Sequence, residues 1–422
     1  MSDEDAMQSD SPQNLRNRKK DRLPSKEEDE DSAPTPAPPQ PPSNKWKNAW
    51  TRFLFSIPMI GGFILILWLG PFYVALLVVS LQVKSFHELM VIGHSKYSSL
   101  ELPWYRVLNW YFLGVANYFF FGESLTSYFR NLFIGEDYLN KLANYHRFIS
   151  YWLYLGGFIV FVLSLRKKKY TVQFTLFGWT HIVLLCCVVQ SHLIIQNCFE
   201  GLYWLLYPAS MVICNDIMAY FFGFCFGKTP LIKLSPKKTW EGFIGGFFAT
   251  MVFGVLVSKT MYQFKHLICP VEYDGSALVI SNCDPGYVFN QQTFDLPLGI
   301  QGLLSLFGVS WNTVSFRPIH FHGAVMAMFA SLIAPFGGFF ASGFKRAFKL
   351  KDFGDLIPGH GGVIDRMDCQ FLMGTFVFVY YFSFIKSVSV NSVIQIIHGM
   401  SGESQLELHK TLGDLLATRG LL

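Results

Sequence analysis

GFIGGFFATMVFGVLVS, residues 242–258, contains no charged residue and no polar face. A helix of this length at a protein–water boundary carries a polar stripe recurring about every 3.6 residues. The absence of such a stripe predicts a helix solvated by lipid.

Working outward, similar stretches lie near 53–70, 71–83, 107–122, 149–165, 173–195, 199–226, 321–341 and 370–388. Most approach the roughly 17–25 residues that a bilayer crossing needs. The whole chain of 422 residues is 51% hydrophobic, 17% aromatic and only 15% charged, too apolar for a soluble enzyme of its length. The reading is an all-α polytopic integral membrane protein with about nine transmembrane helices, in a range of about seven to eleven. Gly70-Pro71 separates the first two stretches, and the second is short, so a helical hairpin, one broken helix, or a span with a re-entrant piece all fit.

Basic residues near span ends stay on the cytosolic side. With nine spans, Arg16 to Arg22, Arg166 to Lys169, Lys228 to Lys238 and Lys345 to Lys351 fall together on one face, which is therefore expected to be cytosolic. The loop 259–320 falls on the other face, with only Lys259, Lys265 and Arg317 as basic residues. It also contains Cys269 and Cys283, which an oxidising lumen would allow to pair. The other six cysteines lie in or beside apolar stretches, where thiols behave as small hydrophobes.

Residues 1–45, rich in Asp, Glu, Ser, Pro and Lys, are expected to form a disordered cytosolic tail. No cleavable signal peptide is expected, because the first apolar stretch lies beyond residue 50 and is too long. The membrane-embedded catalytic domain is expected over 46–390, and a C-terminal amphipathic segment over 391–422. No internal repeat is visible, which disfavours inverted-repeat transporter folds.

The polar exception is SGFKRAFKLKDFGDLIPGHGGVIDRMD, residues 342–368. Lys345, Arg346, Lys349 and Lys351 suit phosphate, Arg as a bidentate fork and Lys as a point charge. Alone, they would equally suit an anionic membrane surface. In Pro358-Gly359-His360-Gly361-Gly362 the glycines let a tight turn bring backbone N–H groups close to a ligand. Asp365 and Asp368, three apart on the expected first turn of the last span, should point the same way. Asp at a helix start is commonly a cap. Two acids beside a cationic cluster instead suit Mg²⁺, which is usually held by one or two carboxylates together with substrate phosphates.

A second polar patch joins Asn215-Asp216, inside an apolar stretch, to Ser235-Pro236-Lys237-Lys238-Thr239-Trp240-Glu241-Gly242 on the same expected face. An intramembrane acid is a functional candidate, since an unpaired one is expensive to bury. Lys84 to Glu88 and Tyr145-His146-Arg147 lie at span ends and read as helix anchors.

With these residues in view, the 342–368 segment resembles the signature of the phosphatidate cytidylyltransferases, through Ser342, Lys345-Arg346, Lys351-Asp352, Pro358, His360-Gly361-Gly362 and Asp365-Arg366-Met367-Asp368. Asn215-Asp216 and the 235–242 element also look like that family's, in the same order, and the chain resembles the animal form from about 45 to 420. The resemblance implies transfer from CTP to phosphatidic acid, giving CDP-diacylglycerol and diphosphate for phosphatidylinositol, phosphatidylglycerol and cardiolipin synthesis. It places the protein in the endoplasmic reticulum membrane, with its active site facing the cytosol.

It further implies Mg²⁺ as cofactor, leaves K⁺ as a second cation and a homodimer open, and gives nucleic acid no role. The catalytic set it implies is Asp365, Asp368, Lys345, Arg346 and His360; the substrate-binding set is Lys237, Lys238, Gly361, Gly362, Arg366, Asn215 and Lys351. The metal would sit on Asp365 and Asp368, its shell completed by Ser342, Asp352, Asp216 or substrate oxygens. One departure matters here: bacterial relatives carry an acidic residue four positions before the motif serine, where this chain has Gly338. Phosphatidate keeps its acyl chains in the bilayer, so a lateral opening between spans is expected. A CTP-dependent polyprenol or lipid kinase would instead release CDP, and a transporter of anions would spread its charges through the midplane.

Overall fold

The computed structural model describes residues 45–95, 103–129, 141–142, 144–232, 234–235, 238–273, 278–280, 283, 286–296, 299, 301, 313–354, 361–386, 393, 397 and 400–420. Residues 50–422 pack as one unit. Of the expected tail, 1–45, residues 1–44 lie outside the described residues and Lys45 begins a helix.

Each apolar stretch forms a helix. Gly70, at φ +112°, ends α1 (Lys45–Leu69), and Pro71 opens α2 (Pro71–Ser95). The first two stretches are thus separate helices, because glycine tolerates the left-handed conformation and proline suits a helix start. α2 runs a dozen residues past the apolar stretch ending at 83: its polar positions Gln82, Ser85 and Glu88 are buried among neighbouring helices rather than left to lipid. Then come α3 (Pro103–Phe129), α4 (His146–Leu163), and α5 (Tyr170–Leu184), which continues through a π turn at Leu185–Val189 into α6 (Gln190–Phe199). α7 (Tyr203–Phe226) and α8 (Trp240–Met261) follow. Pro335 divides the next stretch into α10 (Pro318–Leu332) and α11 (Pro335–Ala347), after the short α9 (Lys265–Ile268). α12 (Ile364–Tyr380) ends in a π turn at Tyr381–Ile385.

Among the described residues, seven segments are long and apolar enough to cross a membrane: Pro71–His94, His146–Leu163, Tyr170–Phe199, Tyr203–Phe226, Trp240–Met261, Pro318–Ala347 and Ile364–Ile385. α1 and α3 cover the two remaining expected stretches, with Ile57–Leu69 the shorter apolar part of α1. The architecture is the expected all-α polytopic one.

The apolar stretch 242–258 lies within α8, and its small residues explain the missing polar face. Gly242, Gly246, Thr250, Gly254 and Ser258, four apart, form one buried stripe against α7 and α10. A Cβ on Gly242 would lie 2.5 Å from the Ala219 carbonyl oxygen, so only glycine allows this approach. In lipid, where apolar surface alone gives no drive to associate, such close backbone packing holds helices together.

The expected lumenal loop adds what hydropathy did not show: two small antiparallel hairpins, β1 (Val271–Tyr273) with β2 (Leu278–Ile280), and β3 (Gln292–Asp295) with β4 (Thr313–Phe316). Cys269 and Cys283 are joined as a disulfide. Beneath the loop, Tyr203, Trp204 and Tyr207 of α7 are fully buried with Phe289 in the main core. The C-terminal segment forms α13 (Gly402–Thr418), capped by Ser401 and without a buried residue.

Candidate active site

Four elements bring the polar residues together: α7 with Asn215 and Asp216, the strap leading into α8 with Lys238, α11 with Gly338 to Arg346, and the start of α12. The strap is held by its own sequence. Leu231 N donates to Lys238 O at 2.7 Å and Trp240 N to Thr229 O at 3.0 Å. Glu241 gathers the backbone N–H groups of Lys228 and Thr229, at 3.1 and 3.2 Å, and the Thr229 hydroxyl. Thr239 caps α8 by accepting from Gly242 N. Glu241 therefore builds the strap that presents Lys238.

Lys238 is half-buried, with its ammonium 4.4 Å from the centre of the Phe339 ring. It acts electrostatically on both Asp216 and Asp368, and these two carboxylates repel one another, so the three converge. Arg366 also acts on Asp216. Asp216 lies ten residues before the end of α7, about 15 Å along the helix axis, so this is a recess between spans rather than a surface patch. A cavity of about 540 Å³ opens there, lined by Asn215, Asp216, Ser235, Lys238, Thr239 and Phe339 among others. Asn215 is buried and accepts from Thr250 Oγ1 at 3.4 Å, which ties it to α8.

Asp365 and Asp368, expected to share one direction, divide. Asp368 Oδ1 accepts from Cys369 N at 2.7 Å, and its Oδ2 lies 3.5 Å from where a Cβ on Gly338 would be. That same Cβ would be 3.7 Å from Lys238 Nζ. Position 338, where a carboxylate was noted as missing, therefore faces this cluster directly, and Asp216 supplies the second acid from α7. Asp365 turns the other way. Its Oδ1 pairs with Lys345 Nζ at 2.6 Å, and its Oδ2 accepts from Phe353 N at 2.9 Å and Gly362 N at 3.1 Å. Both of its oxygens are thus committed to holding the signature loop on α11 and α12.

Glu88 of α2 completes that hold by accepting from Val363 N at 2.9 Å and Ile364 N at 3.1 Å, two of the orphan donors at a helix start. It is a cap supplied by another helix, and the anchor reading of this residue missed that partner. The available signal was a single acid in a span, which normally has a specific reason to be there. Gly361, at φ +81°, turns the loop, and a Cβ there would stand 3.1 Å from Asp365 Oδ2 and 3.6 Å from the Asp352 carboxyl carbon.

The remaining expected residues divide as well. Ser342 donates its hydroxyl to Gly338 O at 2.7 Å, while Arg346, Lys351, Asp352 and Arg366 are exposed. Lys237 and His360 lie outside the described residues. Among the described residues, no three His, Cys, Asp or Glu side chains converge as a ready-made metal cage.

A second cavity, of about 360 Å³, lies between α2, the α5–α6 helix, α11 and α12. Its walls are apolar, from Trp179, Val183, Phe340, Phe344 and Phe371, with one carboxylate, Asp368. Asp368 therefore touches the apolar cavity on one side and the Asp216–Lys238 cluster of the polar one on the other. Phe336 and Phe340, on the same wall, are exposed on the flank of α11, where the bilayer would lie.

The profile of the cytidylyltransferase family matches residues 50–384. The chain is 52% identical over 381 residues to phosphatidate cytidylyltransferase 2 of Bos taurus, covering 90% of this chain and 84% of that one. Phosphatidate cytidylyltransferase 1 of Homo sapiens is also 52% identical over 381 residues, 82% of its length. The Caenorhabditis elegans phosphatidate cytidylyltransferase is 48% identical over 378 residues, 81% of its length. The chain belongs to the cytidylyltransferase family, in its eukaryotic phosphatidate cytidylyltransferase form, and is a nucleotidyltransferase.

Proposed function

We propose that this protein transfers the cytidylyl group of CTP to phosphatidate at the meeting point of its two cavities, giving CDP-diacylglycerol and diphosphate. The observation that carries this assignment of the site is Asp368, which lines the apolar cavity and acts electrostatically on Asp216 and Lys238, two residues that line the polar one. The reaction joins a water-soluble polyanion to a lipid phosphate, so its centre needs both solvents within reach of one charged cluster. CTP enters the cavity beside Asn215, Ser235 and Lys238, and the lipid's acyl chains occupy the cavity along α11 and α12. The exposed Phe336 and Phe340 mark the lateral entry from the bilayer.

The attacking oxygen of phosphatidate is already anionic near neutral pH, so no strong general base is required. What opposes reaction is the repulsion of two polyanions, and most of the acceleration in phosphoryl-type transfers comes from positioning and charge. Lys238 meets the triphosphate from the strap, Arg366 from the start of α12, and exposed Arg346 from the end of α11. The ammonium of Lys345, fixed by Asp365, keeps the signature loop in place rather than acting on substrate.

A divalent cation fits here: two carboxylates from two helices, with substrate phosphates filling the remaining positions, is the usual Mg²⁺ arrangement. Asp216 and Asp368 are the pair that would hold it, with Asp365 building the loop beside them. When bound, the cation neutralises charge on the α-phosphate and on the departing diphosphate. Asp216 and Asp368 orient it, and Lys238 balances the charge that remains.

The clustering of basic residues at span ends supports a site at the cytosolic face, and we take the membrane to be that of the endoplasmic reticulum. The test is release of diphosphate from CTP by the purified protein in detergent with Mg²⁺, with and without phosphatidate. Release that depends on phosphatidate supports the reading. CDP as the co-product would instead identify a lipid kinase.

A further inference from the structure

Outside the catalytic recess, α2 and α3 face each other across a third cavity of about 360 Å³. His87, Met90, Val91 and His94 line it from α2, and Arg106, Asn109 and Trp110 from α3. On each helix these positions are one, three, four or seven apart, so each set lies on one side of its helix. The pairing of rings follows. His87 lies 6.2 Å from the Trp110 ring, and His94 stacks on Tyr105 at 6.4 Å. Asn109 is buried and its amide oxygen is taken by the Thr180 hydroxyl at 2.9 Å, so it offers the cleft its amide nitrogen. Lys84, exposed one turn from His87 on the same face of α2, adds a cation that can extend along the apolar surface.

Trp and Arg at a membrane boundary are usually anchors. This cleft differs in being concave and one-signed: it holds a guanidinium, two imidazoles, an amide donor and an indole, with no carboxylate in its lining among the described residues. Its depth is fixed by Glu88, next to His87, which holds Val363 and Ile364 at the start of α12. The cleft thus sits at the level of the signature loop, where lipid headgroups lie.

We propose that the α2–α3 cleft binds the phosphate of an anionic lipid headgroup, and that its occupancy is felt at the signature helix through the His87–Glu88 turn. Arg106 supplies the bidentate fork, the imidazoles and Asn109 supply further donors, and Trp110 covers the glycerol end. Binding itself is independent of the catalytic assignment above; only the coupling rests on it.

The experiment uses the purified full-length chain and its Arg106→Gln/His94→Gln variant, with Arg106→Glu as a second variant in case the first folds poorly. Native mass spectrometry in neutral detergent compares retained phosphatidylglycerol with phosphatidylcholine. The wild type is expected to retain a phosphatidylglycerol that both variants lose, with phosphatidylcholine retained equally by all three. Equal phosphatidylglycerol retention in wild type and variants overturns the site. Displacement of that lipid by inorganic phosphate identifies a free phosphate as the ligand and overturns the headgroup assignment.

In parallel, diphosphate release in neutral detergent is expected to be the same in all three proteins. Phosphatidylglycerol should change it several-fold in the wild type alone. Retention without a rate change, or an equal rate change in the variants, overturns the coupling. If no protein releases diphosphate, the catalytic reading fails while the binding result still stands.

Discussion

Asp365 and Asp368 are three residues apart in one motif, yet the structure gives them opposite circumstances. Asp365 is saturated, with Lys345 on one oxygen and two backbone N–H groups on the other. Asp368 has one backbone partner and the Cys369 thiol beside it, faces Asp216 and Lys238, and lines the apolar cavity. The first acid resembles Glu88 and Glu241, which spend both oxygens on backbone donors and so build loops. The second resembles Asp216, exposed to a cavity and available to a ligand. On the proposed function, the committed acids would shape the site and the uncommitted ones would take part in its chemistry.

The largest effect should come from the uncommitted side. Asp368→Asn is expected to lower kcat by about 10³-fold, with thermal unfolding of the detergent-solubilised protein unchanged. A fall in melting temperature matching the loss of activity would erase the distinction between the two acids. Asp365→Asn should do the reverse. It strands Lys345 in a mostly buried position, at a cost of about 2–3 kcal/mol once partial exposure is allowed for. The melting temperature should drop, and Lys345→Met in the same chain should restore part of it.

A smaller loss, about 1–3 kcal/mol, is expected from Gly242→Ala, whose new methyl meets the Ala219 carbonyl and pushes α8 away from α7. Because Asp216 and Asn215 ride on α7, this variant should raise KM for CTP more than it lowers kcat. Glu88→Gln should cost least, about 1–2 kcal/mol, since the amide keeps one oxygen for Val363 or Ile364. Limited proteolysis of the signature loop should report that loosening before any change in CTP binding appears.

Much of the fold was legible because lipid imposes a simple rule: a segment apolar all round must span. α8 follows that rule through its middle, from Gly242 to Ser258, and α7 does so up to Asn215-Asp216. It fails at α2, where the polar positions from Gln82 to Glu88 interrupt the apolar run although the helix continues to Ser95. Gln82 donates to Asn117, and Glu88 accepts from Val363 and Ile364, partners far away in sequence about which periodicity carries no information. The hairpins of the 259–320 loop were invisible for a different reason: strands of three or four residues are too short to show alternation.

In the site, three polar stretches far apart in sequence contribute Asp216, Lys238 and Asp368 to one cluster. Spacing implied that Asp365 and Asp368 act together, because three residues apart on a helix usually means one direction. Both positions are helical, so backbone direction alone does not decide where each carboxylate goes. Asp365 stands in the first turn of α12, where the returning loop supplies backbone donors that draw its carboxylate aside. Gly338, which read as a missing ligand, is the point where α11 comes within reach of Asp368 and Lys238.

The most direct test of this division is the Mg²⁺ dependence of phosphatidate-dependent diphosphate release, measured for Asp216→Asn and Asp365→Asn beside the wild type. Asp216→Asn is expected to need at least about tenfold more Mg²⁺ for half-maximal rate, a loss of about 1.4 kcal/mol, at unchanged melting temperature, whereas Asp365→Asn keeps the wild-type requirement in whatever fraction remains folded. An unchanged Mg²⁺ requirement in Asp216→Asn, with the shift appearing in Asp365→Asn instead, would contradict the division.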